Sequence, residues 1–358
     1  MSIWKTYPSN YRESEVQRIL RAARSGECVS VIGLSGAGKS NLMGFLANRP
    51  EIFTHPNILV DCNRLRGNSA AELFRLIRRS LGDTSTPGDE FEALDGLIEQ
   101  KLAENGDKLA VLLDRFEVLG APSTGSGQAI ASNLRALRDA HKYQLTFVIA
   151  TRRPLNPYSE LAELFFGHTL WLGPLSESDT LWNVLRYASR VDQDWDPSIA
   201  AQMRELTWGY PSLLRAVCEA YAEGANLDLT ELREHPAIQR RVKEFWEDEP
   251  SESDLRNSHL KGQPFLESAP NPQEFDTSQL TEKEFLLLEY LQAHPNQVCS
   301  KDDLVQAVWP EDVIYERGIR DDSLAQLVRR LRVKIEPDPS QPRYIQTVPG
   351  RGYLFGDG

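Results

Sequence analysis

The chain has 358 residues, 41% hydrophobic and 26% charged, a length that exceeds one average domain and gives each of two or three domains a core of its own. Its four cysteines, Cys28, Cys62, Cys218 and Cys299, stand far apart with no CxxC pair, which argues against a disulfide framework or a cysteine-rich zinc site and points to a reducing, cytoplasmic setting. The formal net charge of −12 repels nucleic acid unless positive charge is gathered locally, and no run approaches the roughly 18 apolar residues of a membrane span.

In chain order, the opening MSIWKTYPSNYRESE lacks the apolar core of an export signal. CVSVIGLSGAGKSNLMGFLANR reads as a strand from Cys28 to Ile32, a Gly-rich turn, and a helix with Leu42, Phe45 and Leu46 on one face. The turn is G-x-x-x-x-G-K-S, Gly33 to Ser40. Glycines let backbone N–H groups curl around phosphate oxygens, and the helix N-terminus adds the positive end of its dipole. Lys39 is placed to reach the β- and γ-phosphates and the Ser40 hydroxyl to ligate Mg²⁺. The expected phosphate-binding set is therefore Gly33, Ser35, Gly36, Ala37, Gly38, Lys39, Ser40 and Asn41.

ILVDCN at 58 to 63 supplies another strand, followed by the helical pattern AAELFRLIRRSL. KLAVLLD is a continuous apolar run, as in a buried parallel strand, ending at Asp114, the expected partner of Ser40 at the metal. Where many ATP-hydrolysing machines place a second carboxylate, the sequence has Arg115. The next acid is Glu117, on the loop leading away, either within reach of a water as a catalytic group or simply paired with Arg115. LTFVIATRR ends at Thr151 and Arg152, at the carboxyl end of a strand, where ligands sit in open α/β sheets, so Arg152 is expected to meet a phosphate.

Beyond HTLWLGPL the pattern is helical. Ser176 with Asp179 reads as a capping box, Asp196-Pro197 opens a second helix, and Gly209-Tyr210-Pro211 breaks between two more. Residues 1–170 are thus expected to form an α/β parallel-sheet core and 171–246 a helical lid.

These motifs, taken in order with NYRESEVQRIL near the start, resemble the STAND branch of the AAA+-like P-loop ATPases, related to the origin-recognition type. The resemblance implies that Arg152 senses the γ-phosphate, that Pro211 touches the adenine, and that Arg12 or Tyr11 lines the base pocket. Two departures stand out: Tyr11 replaces the family's usual Gly, and the adjacent-carboxylate pair is absent at Arg115. With Lys39, Asp114 and Glu117 as the catalytic set, slow ATP hydrolysis suited to a switch is expected.

EDEPSESDLRNSHLKGQPFLESAPNPQ is polar and without sustained periodicity, and residues 247–272 are read as a linker. In the remainder, 273–358, Thr281 with Glu284 and Ser300 with Asp303 read as capping boxes, and Phe285, Leu288 and Leu291 share a face of the first helix. A third helix, about 321 to 336, carries a buried stripe of Leu324, Val328, Leu331 and Ile335, with Gln326, Arg329, Arg330, Arg332 and Lys334 outside it. RYIQTVPGRGYLF then reads as two short β-runs around a turn, a hairpin after a helix-turn-helix. From Arg317 to Arg351 eight basic residues stand against four acids, the one segment of the chain whose charge suits a polyanion.

This stretch closely resembles the OmpR/PhoB-type winged helix-turn-helix, an α+β domain for double-stranded DNA. The resemblance implies that Ser323, Gln326 and Arg330 face bases in a major groove, which admits one helix, and that Arg329, Arg332 and Lys334 face phosphates. Pro349 stands where the family often has a basic residue, so the wing's charge is expected at Arg351. Nothing in this sequence supplies the acidic phosphorylation pocket of the family's usual receiver domain, and the P-loop module is expected to occupy that place. The expectation that follows is a cytoplasmic switch, probed by an unknown signal, in which ATP and Mg²⁺ control self-association and DNA binding at promoters. An origin-recognition or transposition-type ATPase and a STAND-type signalling or defence switch remain alternatives, the last disfavoured by the lack of 34- or 40-residue repeats.

Overall fold

The apolar runs of the first part become β1 (Val29–Ile32), β2 (Asn57–Asp61), β3 (Leu109–Asp114), β4 (Leu145–Thr151) and β5 (Thr169–Trp171) in the computed structural model. All five join in one parallel sheet in the order β2-β3-β4-β1-β5. Every residue of β1, β3 and β4 is buried, because helices cover both faces. The structure describes all residues except 1–2, 66, 68, 107, 120–124, 156–159, 166, 267–279, 295–296, 310–316, 337, 340 and 357–358, together with the backbone alone at a few helix ends.

Six helices cover the sheet: α1 (Glu13–Ser25), α2 (Lys39–Ala47), α3 (Ala70–Ser80), α4 (Glu90–Asn105), α5 (Gly125–Ala140) and α6 (Glu160–Phe165). Alternate strand residues feed two cores. Ala110, Leu112, Val148 and Ala150 pack with Leu20 of α1 and Leu42 and Phe45 of α2. Val111, Leu113, Phe147 and Ile149 pack with Phe74 of α3, Leu94 of α4 and Leu134 of α5.

The lid follows as α7 (Glu177–Arg190), α8 (Pro197–Thr207), α9 (Pro211–Ala222), α10 (Leu229–Glu234), α11 (Pro236–Trp246) and α12 (Glu252–Asn257). Its apolar faces complete the first of the two cores through residues such as Val184, Met203, Leu213, Val217 and Phe245. Asp196 caps α8 by accepting from Ser198 N–H, and Pro211 sits in the first turn of α9, as the sequence predicts. The Ser176–Asp179 box is only half formed. Ser176 Oγ accepts from Asp179 N–H, but the Asp179 carboxylate accepts from the backbone N–H of Arg12 and joins the lid to the opening segment.

Part of the expected linker is lid. Residues 247–266 fold back onto the helices, with Leu260, Phe265 and Leu266 buried and Gln263 Nε2 donating to Leu206 O at 2.9 Å. Ser251 and Asp254 form a full capping box at α12. The remaining residues of that linker, 267–272, lie outside the described set. By its contacts the chain divides into Met1–Ala269 and Pro270–Gly358.

The second unit holds α13 (Glu282–Ala293), β6 (Val298–Cys299), α14 (Lys301–Val308), α15 (Arg317–Ile335), β7 (Ile345–Val348) and β8 (Gly352–Phe355). The predicted hairpin is β7–β8, and β6 extends it to an antiparallel sheet of order β6-β8-β7. Leu324, Val328, Leu331 and Ile335 are buried as expected, joined by Leu327. On α13 the buried set is Leu287, Leu288 and Leu291, while Phe285 is 43% exposed: one position shifts the turn of the helix away from the core. All four cysteines are buried free thiols. No helix among the described residues is long and apolar enough to cross a membrane.

Candidate functional site

The turn after β1 is pinned at its start, where Gly33 N–H donates to Thr151 O of β4 at 3.1 Å, and at its end, where α2 begins at Lys39. Gly36 and Gly38 have φ of 81° and 91°, left-handed values open to glycine, and they curl the backbone around a cavity of about 360 Å³. Ser35, Gly36, Gly38, Lys39, Ser40 and Asn41 line it. Gly33 and Ala37 are buried behind the loop and shape it from within. Lys39 Nζ folds back on the loop, donating to Gly33 O at 2.5 Å and Leu34 O at 3.4 Å. Burial depresses the Lys39 pKa, with Arg152 adding to the effect and Glu117, Asp248 and Asp114 opposing it.

At the carboxyl ends of the strands, Asp114 is 5% exposed and lies in register with Asp61 of β2. Its Oδ1 is buried without a hydrogen-bond partner among the described residues. Arg115 turns at φ 55° and its Nη1 donates to both Asp61 oxygens at 3.2 Å, so the expected alternative pairing of Arg115 with Glu117 is not formed. Glu117 instead meets Arg152, Oε1 to Nε at 3.2 Å, and its Oε2 is buried without a hydrogen-bond partner among the described residues. The Arg152 Nη1 donates to Asp248 Oδ1 at 2.6 Å. Arg152, Glu117 and Arg115 all line the cavity.

The lid closes the other side with Pro211, Ser212, Arg215 and Arg241. Tyr210 Oη donates to Ser35 O at 2.6 Å, and a Cβ added at Gly36 would fall 2.2 Å from Ser212 Oγ. The cavity thus carries five basic side chains, Lys39, Arg115, Arg152, Arg215 and Arg241, against one acid, Glu117. Ser212, Arg215 and Arg241 were not foreseen. Arg215, one helical turn after Pro211 and so on the same face, was within reach of a periodicity argument; Arg241 carried no local signal.

Arg12 is not part of this cavity. It is 2% exposed at φ 46°, with Nη2 donating to Ala37 O at 2.9 Å, Nη1 to Gly173 O at 3.0 Å, and an ion pair to Glu15 at 3.0 Å. It is a strut between the Gly-rich turn and the lid, and it lines a second cavity of about 390 Å³ with Asp179 and Arg204. Tyr11 is equally buried, its ring edge-on to Phe45 at 5.3 Å.

Among the described residues, a Gly-rich turn at the N-terminus of α2, an excess of cations, and two buried carboxylate oxygens without hydrogen-bond partners fit a polyphosphate carrying a divalent cation. Of the two residues expected at the cation, Ser40 lines the cavity and Asp114 is buried at the carboxyl end of β3.

In the second unit Ser323, Gln326, Arg329 and Arg330 are exposed along α15, with Val333 at 64% exposure beside them. Two of the expected phosphate contacts have other work. Arg332 donates to Ile345 O of β7 through Nε at 2.9 Å and Nη2 at 2.5 Å, and to Thr347 Oγ1 at 2.9 Å. Lys334 Nζ donates to Glu284 Oε2 of α13 at 2.6 Å. Burial works to raise the Glu284 pKa, but Lys334 and the Thr281 hydrogen bonds outweigh it and hold the carboxylate below its usual range. Arg351 is exposed at the β7–β8 turn.

Comparison with known proteins agrees with this division. Residues 22–157 match the family profile described as AAA domain, and residues 276–355 match that described as transcriptional regulatory protein, C terminal. A stretch of 77 residues is 43% identical to a protein of Picosynechococcus sp. described as "Probable transcriptional regulatory protein"; it covers 22% of this chain and 29% of that one. Among solved structures, the chain is similar to the Walker-type ATPase of Pyrococcus abyssi at 15% identity and TM-score 0.44, covering 96% of this chain and 92% of that chain. The Aeropyrum pernix ORC1 protein in complex with DNA gives 13% identity and TM-score 0.42, covering 98% and 92%. The chain therefore joins a P-loop AAA domain to a C-terminal winged helix of the OmpR/PhoB type.

Proposed function

We propose that the protein is a transcriptional regulator whose binding to double-stranded DNA is switched by ATP. The observation that carries this reading is the pairing of one phosphate-ready cavity, lined by the Gly-rich turn and by lid residues Pro211, Ser212, Arg215 and Arg241, with a terminal winged helix exposing Gln326, Arg329 and Arg330. The match of the terminal segment to transcriptional regulatory proteins supports promoter DNA as the polyanion.

In this reading the loop amides and Lys39 hold the β- and γ-phosphates, Arg215 and Arg241 bring lid charge onto the chain of phosphates, and Pro211 packs beside the base. A bound Mg²⁺, held by Ser40 and Asp114, would offset the phosphate charge. Glu117 is the acid positioned to orient a water, but it is tied to Arg152, and Arg115 fills the place of an adjacent carboxylate. Hydrolysis is slow for that reason, and the ATP state persists. Self-association in that state pairs winged helices and raises site affinity through effective concentration.

A fluorescence-anisotropy titration on the protein's own promoter DNA tests the switch, run with ATP, ADP and no nucleotide. Affinity that differs between ATP and ADP supports it; identical affinity in all three conditions rejects it.

A further inference from the structure

One acid outside the cavity lining reaches the cavity's Arg152. Asp248 follows α11, in the segment first read as linker, and its carboxylate reaches Arg152 Nη1 at 2.6 Å while only 11% of its side chain is exposed. Its Oδ2 is buried without a hydrogen-bond partner among the described residues, and its charge acts on Lys39 as well. The neighbouring Arg153 donates through Nη2 to the carbonyls of Asp248 and Glu249, so two consecutive arginines at the end of β4 grip one short stretch of backbone. Glu249 itself is held at φ 44°, a left-handed value that a non-glycine side chain rarely adopts. From there the chain runs through Pro250 and α12 to the end of the first unit.

We propose that Asp248 is a built-in competitor for the terminal phosphate: it occupies Arg152 in the absence of a third phosphate and is displaced when ATP, but not ADP, brings one. A guanidinium has a limited number of well-aligned donors, and an anion arriving in the cavity with more charge takes them. The displaced carboxylate is like-charged with the incoming phosphates, which also take over the Lys39 charge that Asp248 acts on, so displacement frees residues 247–250 from the core. The ATP signal thereby leaves the site along the stretch that leads in sequence to the DNA-binding unit. This rests on the nucleotide reading given above.

The test uses the full-length chain and its variants Asp248→Asn and Asp248→Ala, each first shown by thermal melting to be folded. Affinities are measured for ADP and for β,γ-imido-ATP, both with Mg²⁺. The expected result is an ATP-analogue to ADP affinity ratio roughly fivefold higher in both variants, the size for an ion pair whose arginine is half exposed. In an Arg152→Gln background the same replacement leaves the ratio unchanged, because the residue competed for is gone. In the wild type, hydrogen exchange of amides 247–257 is faster with the ATP analogue than with ADP; in Asp248→Asn it is equally fast with both. If both nucleotides bind and the ratio and exchange are the same in wild type and variants, the competitor role is overturned while the nucleotide site stands. If neither nucleotide binds the wild type, the nucleotide reading falls and this proposal with it.

Discussion

Arg115 Nη1 meets both carboxylate oxygens of Asp61 at 3.2 Å, across the register pair that sets Asp61 beside Asp114. The guanidinium is thus turned toward β2 and shares the cavity rim with Glu117. Arg115→Asn keeps a residue that tolerates the left-handed backbone while removing the charge. Both partners are about two-fifths exposed, so the thermal stability falls by less than about 1 kcal/mol. Nucleotide affinity weakens, and steady-state turnover of wild type and variant alike stays far below about 10 s⁻¹. A turnover near that value in the variant would show that Arg115 restrains hydrolysis.

Burial holds the Lys39 pKa below that of a free lysine, and phosphates restore it. The bound state then carries more protons than the free state between those two pKa values, so nucleotide affinity falls as pH rises through that window. Calorimetric titrations in buffers of different ionisation enthalpy should report proton uptake on binding at alkaline pH. Lys39→Ala abolishes binding and removes the uptake.

Arg12 ties the Gly-rich turn to Gly173 and Glu15 from a site 2% exposed. Arg12→Ala leaves the carbonyls of Ala37 and Gly173 and the Glu15 carboxylate without their donor, a loss of about 3–5 kcal/mol for a buried charged partner. Differential scanning calorimetry should show the first unit's transition lowered and the second unit's unchanged.

The basic residues of α15 separate into two kinds by experiment. Arg330→Ala should cost about 1–3 kcal/mol of specific DNA binding if it reads a base, with the melting temperature kept. Arg332→Ala removes three hydrogen bonds to β7 and should destabilise the winged helix by about 1–3 kcal/mol before any question of DNA arises. Urea unfolding of the variants, followed by binding under native conditions, distinguishes them.

Glu284 adds an acid limb. Its folded pKa lies below the ordinary glutamate value, so the stability it gives is present above that value and is lost as pH falls through the folded pKa. Glu284→Gln should flatten that part of the acid-unfolding curve of the second unit.

The sheet was legible because burial on both faces makes β3 and β4 near-continuous apolar runs, and the phosphate turn because glycines and Lys39 must stand at fixed spacing. What escaped depends on residues distant in sequence. Arg332 and Lys334 fall on the outer arc of α15 by periodicity, yet their partners Ile345 and Glu284 come from a hairpin and a helix that the arc does not specify. Residues 247–266 look like a linker because Leu260, Phe265 and Leu266 are too few and too irregularly spaced to declare a helix face. Arg12 lies within the family-like stretch NYRESEVQRIL, and only the fold reveals that its two terminal guanidinium nitrogens are engaged by backbone carbonyls and Glu15.

Tyr210 joins two structures at once: its hydroxyl holds Ser35 O of the phosphate turn, and its ring meets Phe245 of α11 edge-on at 5.9 Å, three residues before Asp248. In the proposed switch, the cavity and the 247–250 stretch both end before residue 267, inside the first unit. The output domain is therefore interchangeable in principle: a chimera that keeps residues 1–266 and carries a different DNA reader should inherit the nucleotide response intact.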